Sequence, residues 1–93
     1  MDKLRAHVFV SGLVQGVFFR ASAVDEAERI GGLTGWTKNV QDGRVEIVCE
    51  GARHDVDLFL EWLAKGPSGA SVSDVNTTIQ TPTGEFSDFR IAF

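Results

Sequence analysis

The chain has 93 residues, of which 43% are hydrophobic, and this composition suits one globular domain, residues 1–93, with a modest core. Its net charge of −4 argues against nucleic-acid binding, which usually requires a basic surface. No apolar run reaches the ~18–20 residues that cross a membrane, and the N-terminus lacks the apolar segment of a signal peptide. The single cysteine, Cys49, excludes an intramolecular disulfide and is compatible with a reducing, cytoplasmic location.

Hydrophobic periodicity predicts five strands and two helices along the chain. In order, these are a strand at 6–14, a helix at 20–30, strands at 33–40 and 44–50, a helix at 55–65, and strands at 72–81 and 86–93. Asp42 and Gly43 give a strong hairpin-turn signal between the second and third strands. We expect the last strand to be a hairpin partner of the strand before it. This βαββαβ order with one added strand is typical of an α+β ferredoxin-like sandwich, an antiparallel sheet with two helices on one face.

The segment 11–20, SGLVQGVFFR, is the most informative of the chain. A strand, a glycine-bearing loop and a helix start follow one another there, an order that gathers backbone N–H groups around an anion. Arg20 adds a planar fork of donors that matches phosphate or carboxylate oxygens. A cation at a helix N-terminus opposes the helix dipole, and this placement is explained if Arg20 and the free N–H groups face one shared anion. The alternative is a tight connection with a solvated arginine, because a glycine pattern alone is weak evidence.

Asn39 stands at the end of the second predicted strand, just before the hairpin turn. Asparagine is common at such positions, so Asn39 taken alone indicates only a turn. Phe18 and Phe19 directly precede Arg20, and we expect at least one of them to anchor the loop in the core. His7 and His54 share no ligand or triad spacing, and Cys49 alternates with apolar residues, so we expect none of the three to take part in chemistry.

Two motifs together resemble the signatures of the acylphosphatase family. The first is Val10-Ser-Gly-Leu-Val-Gln-Gly-Val-Phe-Phe-Arg20, and the second is Gly35-Trp-Thr-Lys-Asn39, followed by Gly43, Val45 and Gly51. Gly66–Pro67 and the Phe-rich C-terminal segment also fit, so the resemblance extends over nearly the whole chain. Thr37 departs from the pattern, because the family usually has Val, Ala or Cys there. Thr is nearly isosteric with Val, and we expect a small packing effect without loss of chemistry.

The resemblance implies an activity and a set of site residues. In the family, the loop matching 15–20 wraps a phosphate with its backbone amides, the arginine binds the phosphate oxygens and the asparagine holds the attacking water. Carried over by position, the catalytic residues are Arg20 and Asn39, and the substrate-binding residues are Gln15, Gly16, Val17, Phe18, Phe19 and Arg20. The implied reaction is hydrolysis of a small acyl phosphate to a carboxylate and inorganic phosphate, without metal, cofactor or covalent intermediate. We expect a monomer that binds neither nucleic acid nor membrane.

The chemistry of the two motifs agrees with this activity. A carboxylate leaving group has a conjugate acid of pKa about 4 to 5, so it departs unprotonated at pH 7 without a general acid. A phosphate monoester usually needs an acid or a metal, and neither motif contains a His, Cys, Asp or Glu cluster.

Two other functions stay open at this point. One is a non-catalytic phosphate-binding regulatory module with the same fold, which would need the loop and Arg20 but not Asn39. The other is an accessory domain of a larger carbamoyl-transfer protein. The start at Met1 and the clean final strand favour a free-standing enzyme.

Overall fold

The computed structural model describes residues 2–93 and contains one sheet and two helices. The strands are β1 (Lys3–Leu13), β2 (Thr34–Asn39), β3 (Val45–Ala52), β4 (Ser71–Gln80) and β5 (Phe89–Ile91), and the helices are α1 (Phe19–Ile30) and α2 (Arg53–Lys65). All seven predicted elements are present, with bounds that differ by a few residues. Within residues 2–93, neither helix has the length and apolarity that crossing a membrane requires.

The five strands lie in the order β4-β1-β3-β2-β5. β1 pairs antiparallel with β3 and β4, and β2 pairs antiparallel with β3. β5 lies at the far edge and runs parallel to β2, so the sheet is mixed and the expected hairpin between the last two strands is wrong. The parallel pairing is continued at both ends of β5, where the Gly35 N–H donates to Asp88 O and the Ala92 N–H donates to Thr37 O, each at 2.8 Å.

The segment 81–88 carries the chain from one edge of the sheet to the other, and Glu50 of β3 holds it there. The Glu50 carboxylate accepts hydrogen bonds from the Thr83 N–H at 2.9 Å and the Gly84 N–H at 3.0 Å. Arg5 of β1 donates to the same carboxylate at 2.7 Å. After the crossing, Phe89 packs into the core with its ring edge-on to Phe59 at 5.3 Å. These contacts give the physical reason why the last strand joins β2.

The core lies between the sheet and the two helices. α1 buries Phe19, Ala23 and Ala27, and α2 buries Val56, Phe59 and Leu63, the helical stripes expected from the periodicity. The sheet contributes Ala6, Val8, Val10, Val45, Ile47 and Cys49. Cys49 is fully buried, as predicted, and burial raises the pKa of its thiol to about 12. Its thiol therefore stays protonated and unreactive at neutral pH.

Candidate active site

Three strands finish at the same end of the sheet. β1 and β2 each run antiparallel to β3, so their C-terminal ends lie on the same side. β5 runs parallel to β2 and ends there too. Val10 of β1 and Asn39 of β2 are both paired with Val45 of β3. The loop that follows β1 and the asparagine that ends β2 are thereby brought together, although they are far apart in the chain.

The loop between β1 and α1 has an unusual backbone. Gly16 has φ 76°, and Phe18, the residue before α1, has φ 61° and ψ 27°. Phe18 is the single non-glycine residue with positive φ among residues 2–93, a conformation that costs about 1 kcal/mol or more and is concentrated at functional sites. Phe19 is only 2% exposed and anchors the loop in the core, as expected, whereas Phe18 is 83% exposed.

The same segment presents unused hydrogen-bond donors. Within the part of the chain that the structure describes, no backbone N–H from 16 to 21 donates a hydrogen bond to another protein group; the first helical bond is Ser22 N–H to Phe18 O at 3.0 Å. α1 has no side-chain cap and no acidic residue in its first turn. The positive end of the helix dipole is therefore uncompensated here, which favours an anion.

A pocket of about 250 Å³ opens beside these donors. Its lining residues are Val14, Gly16, Phe18, Phe19, Arg20, Ala21, Asn39 and Ile91. Of the predicted site residues, Gly16, Phe18, Phe19, Arg20 and Asn39 are brought together in this lining. Gln15 and Val17 lie in the loop beside the pocket: Val17 packs against the core, and the Gln15 side chain is hydrogen-bonded to the β2–β3 turn. The role predicted for both was through their backbone N–H groups.

Arg20 differs from the other arginines of the chain in its electrostatic surroundings. Arg5, Arg29, Arg44, Arg53 and Arg90 each lie within 4.0 Å of a carboxylate oxygen. Arg20 forms no such pair within residues 2–93, and its guanidinium carbon lies 5.6 Å from the centre of the Phe93 ring. The pocket thus contains a half-buried cation whose charge is not neutralised by the protein.

Asn39 reaches the pocket because of its position in β2. Side chains alternate along a strand, so Asn39 shares a face with buried Thr37 and Gly35, the face that the helices cover. It is the last residue of the strand and is exposed. Its amide has no protein hydrogen-bond partner within residues 2–93 and faces the same pocket as Arg20. An amide oxygen and two N–H donors are therefore available there for a water molecule or a ligand.

Two residues contribute to this site without any signal in the local sequence. Ile91 of β5 lines the pocket, and the Phe93 ring lies against Arg20. Both are brought there by the parallel pairing of β5 with β2, which no local pattern signals. The apolar alternation of residues 86–93 predicts a strand but does not identify its partner strand.

The residues expected to be inert lie away from the pocket. His7 pairs with Glu46 at 2.6 Å between the strands β1 and β3, and His54 is an exposed residue of α2. Cys49 is buried in the core. No group of three His, Cys, Asp or Glu side chains within residues 2–93 has an arrangement that could hold a metal ion.

The fold and the pocket define a ferredoxin-like α+β protein with a cationic cleft between a strand–helix loop and the end of the sheet. The family model described as Acylphosphatase matches residues 6–91, and the chain belongs to the acylphosphatase family.

Individual acylphosphatases are similar to the chain over its full length. An acylphosphatase of Pelotomaculum thermopropionicum is 50% identical over 93 residues, 100% of both chains. A solved acylphosphatase structure from Coxiella burnetii superposes with a TM-score of 0.90 at 45% identity, covering 98% of this chain and 94% of that chain. The acylphosphatase structure from Bacillus subtilis superposes with a TM-score of 0.92 at 36% identity, covering 97% of this chain and 99% of that chain. The predicted ferredoxin-like fold is thereby confirmed.

Proposed function

We propose that this protein is an enzyme that hydrolyses acyl phosphates to a carboxylate and inorganic phosphate. The observation that carries the proposal is the meeting of Arg20, the unused N–H groups of the loop and Asn39 in one pocket. Family membership and full-length similarity to acylphosphatases support the same activity.

The phosphate group binds to the loop. Backbone N–H groups of Gln15, Gly16, Val17, Phe18 and Phe19 and the N–H and guanidinium of Arg20 donate to its oxygens. These donors stabilise the charge on the equatorial oxygens as the acyl oxygen departs, and they need no reorganisation because the backbone already holds them in place. Loss of one such contact typically raises the barrier by about 3 kcal/mol.

Asn39 positions the nucleophile. Its amide oxygen accepts a hydrogen bond from a water molecule and directs the water oxygen at phosphorus, opposite the acyl oxygen. A bond forms between the water oxygen and phosphorus, the bond between phosphorus and the acyl oxygen breaks, and a phosphate oxygen takes up the proton. The carboxylate leaves without protonation because its conjugate acid has a pKa of about 4 to 5.

We also propose the domain organisation, location, oligomeric state and cofactor requirement of the enzyme. The enzyme is a single domain, residues 1–93, that acts as a cytoplasmic monomer on a small acyl phosphate, without metal or cofactor. The lining of the pocket supports this chemistry, because it supplies N–H, guanidinium and amide groups beside apolar side chains. The net charge of −4 supports the absence of nucleic-acid binding.

A metal-free turnover assay tests the proposal. Purified protein is incubated with benzoyl phosphate and excess chelator, and loss of the anhydride is followed by absorbance. We expect turnover well above the spontaneous rate. A protein that binds inorganic phosphate, as seen by a thermal shift, without any turnover is instead the regulatory binding module.

Two variants assign the roles within the pocket. Asn39→Ala removes the group that positions the water, and we expect kcat to fall about 10²–10³-fold while inorganic phosphate still raises the melting temperature. Arg20→Ala should weaken both phosphate binding and turnover. Unchanged kcat in Asn39→Ala would remove Asn39 from the mechanism.

A further inference from the structure

The Gln15 side chain connects the phosphate loop to the β2–β3 turn. Its Nε2 donates to Val40 O at 2.8 Å and to Arg44 O at 2.9 Å. Both partners are carbonyl oxygens, so the NH₂ side of the amide must face them. Gln15 follows β1 in the chain. Val40, the residue after Asn39, and Arg44 flank the β2–β3 turn. One side chain therefore joins the two segments that form the pocket.

The two hydrogen bonds are not needed to close the turn itself. The Val40 N–H already donates to Arg44 O at 2.8 Å, and the Gly43 N–H donates to Val40 O at 3.1 Å. Asp42 accepts a further bond from the Arg44 N–H at 3.1 Å. Each carbonyl oxygen has two lone pairs, so Gln15 adds a second bond to carbonyls that are already satisfied. What Gln15 contributes is the position of the turn relative to the loop.

The hydrogen bonds of the Gln15 side chain connect two backbone segments, and each segment has a pocket residue directly next to its bonded residue. Gly16, next to Gln15, lines the pocket, and so does Asn39, next to Val40. The spacing between Gly16 and Asn39 across the pocket depends on how these two backbones are held together. Misplacement of a reacting group by about 1 Å can cost about 10²-fold in rate.

We propose that Gln15 is a positioning residue for hydrolysis: through Val40 and Arg44 it holds the segment bearing Asn39 at the spacing from the loop that in-line attack requires. This role rests on the proposed function and adds a side-chain task to the backbone contact expected of Gln15. It differs from phosphate binding, because the Gln15 amide is occupied by protein carbonyls.

A kinetic comparison of matched variants tests the role. Gln15→Met keeps the side-chain length without the amide, and Gln41→Met makes the same change at an exposed position of the β2–β3 turn itself. For Gln15→Met we expect kcat for benzoyl phosphate to fall at least tenfold, with the inhibition constant for inorganic phosphate changed less than threefold. Gln41→Met should leave both values at the wild-type level.

The pH dependence of kcat in Gln15→Glu separates a positioning role from a purely structural one. Loss of a purely structural hydrogen bond would not change kcat with pH. At pH 7 the carboxylate cannot donate to the two carbonyls, whereas the protonated carboxyl that forms as the pH falls toward about 4 donates to one of them. We expect the ratio of its kcat to the wild-type kcat to rise as the pH falls, with circular dichroism showing both proteins folded throughout. If Gln15→Met does not fold, this variant alone decides the question.

The failures of the two proposals are distinguishable. A wild-type protein without turnover contradicts the proposed function and the positioning role with it. An active wild type with folded Gln15 variants that keep the wild-type kcat, or that lose phosphate affinity in proportion to kcat, contradicts the positioning role alone.

Discussion

Two residues in the pocket, Arg20 and Phe18, have an environment or a backbone conformation that favours a bound anion. Five arginines are paired with carboxylates, but Arg20 is left without one among residues 2–93. Phe18 holds a left-handed backbone just before α1, and the N–H groups of residues 16–21 donate to no other protein group within residues 2–93. Both features carry a cost in the free protein, and under the proposed function bound phosphate would offset each of them.

Thr37 is the residue at which this chain departs from the family pattern, and its hydroxyl is unsatisfied. Thr37 is fully buried, and Oγ1 has no hydrogen-bond partner within residues 2–93. Replacing Thr37 with Val keeps the shape and removes the buried hydroxyl, so we expect the free energy of unfolding to rise by about 1 kcal/mol. Urea denaturation followed by circular dichroism measures this change.

Thr37→Ser is the matched control, since it keeps the hydroxyl and loses the methyl group. We expect this variant to be less stable than the wild type, because a buried methyl contributes about 1 kcal/mol. Thr37 does not line the pocket, so kcat should be unchanged in both variants. A less stable Thr37→Val would show that the hydroxyl is satisfied in solution.

At the level of elements, the crossing segment 81–88 depends on one carboxylate. Burial raises the pKa of Glu50, but hydrogen bonds from the Thr83 N–H, Arg5, the Gly84 N–H and the Thr83 hydroxyl outweigh burial and lower it to about 2. The ordinary value is 4.5. A carboxyl whose pKa is lowered by folding stabilises the protein above its unfolded pKa, and the stabilisation is lost as the pH falls toward the folded pKa.

Glu50 therefore makes the stability of the fold dependent on pH. We expect it to contribute on the order of 2–3 kcal/mol at pH 7, most of which is lost between about pH 5 and pH 2. Urea denaturation of the wild type and Glu50→Gln at pH 7, 5 and 3 measures the contribution. The difference in unfolding free energy between the two proteins should shrink as the pH falls. If the difference in unfolding free energy stays the same at all three pH values, groups other than Glu50 cause the loss of stability in acid.

The strand β2, which carries Asn39, depends on a glycine for its pairing with β3. Gly35 has φ 139°, and a Cβ atom there would lie 1.9 Å from Val48 O. Gly43 in the turn also has a positive φ, 97°, but a Cβ there would have no atom within 4 Å. We expect Gly35→Ala to cost at least about 3 kcal/mol of stability, because strand backbone must move, and Gly43→Ala about 1 kcal/mol.

Urea midpoints of the two glycine variants, measured side by side, test this difference. Both substitutions place a side chain at positive φ, so Gly43→Ala measures the conformational cost and the excess in Gly35→Ala measures the clash. Equal losses of stability would mean that β3 yields to a methyl group without cost.

For the molecule as a whole, local patterns predicted the elements and the motifs but not every contact between them. Stripes at helical spacing predicted α1 and α2, whereas the grouping of Gly16, Arg20 and Asn39, which share one pocket lining, was implied by the resemblance of the two motifs to the family signatures. The parallel pairing of β5 depends on Glu50 and Phe89, which are remote in sequence and carry no turn signal. The bonds of the Gln15 amide likewise depend on a register between strands that only the folded chain sets.

The topology explains how so small a molecule assembles a site from distant segments. β1, β2 and β5 all end at the same end of the sheet, and each supplies one side of the pocket: the loop with Arg20, Asn39, and Ile91. The other end of the sheet is tied by the Arg5–Glu50 network around the crossing segment. Substitutions in that network should therefore lower stability and leave kcat unchanged.

In the proposed reaction, water held by Asn39 attacks the phosphorus of an acyl phosphate bound by the loop and Arg20. Hydrolysis of benzoyl phosphate in H₂¹⁸O, with products analysed by mass spectrometry, tests it directly, since the label marks the atom attacked. We expect one ¹⁸O in each inorganic phosphate released by the enzyme and none in benzoate. Label in benzoate would show attack at the carbonyl carbon and would rule out attack at phosphorus.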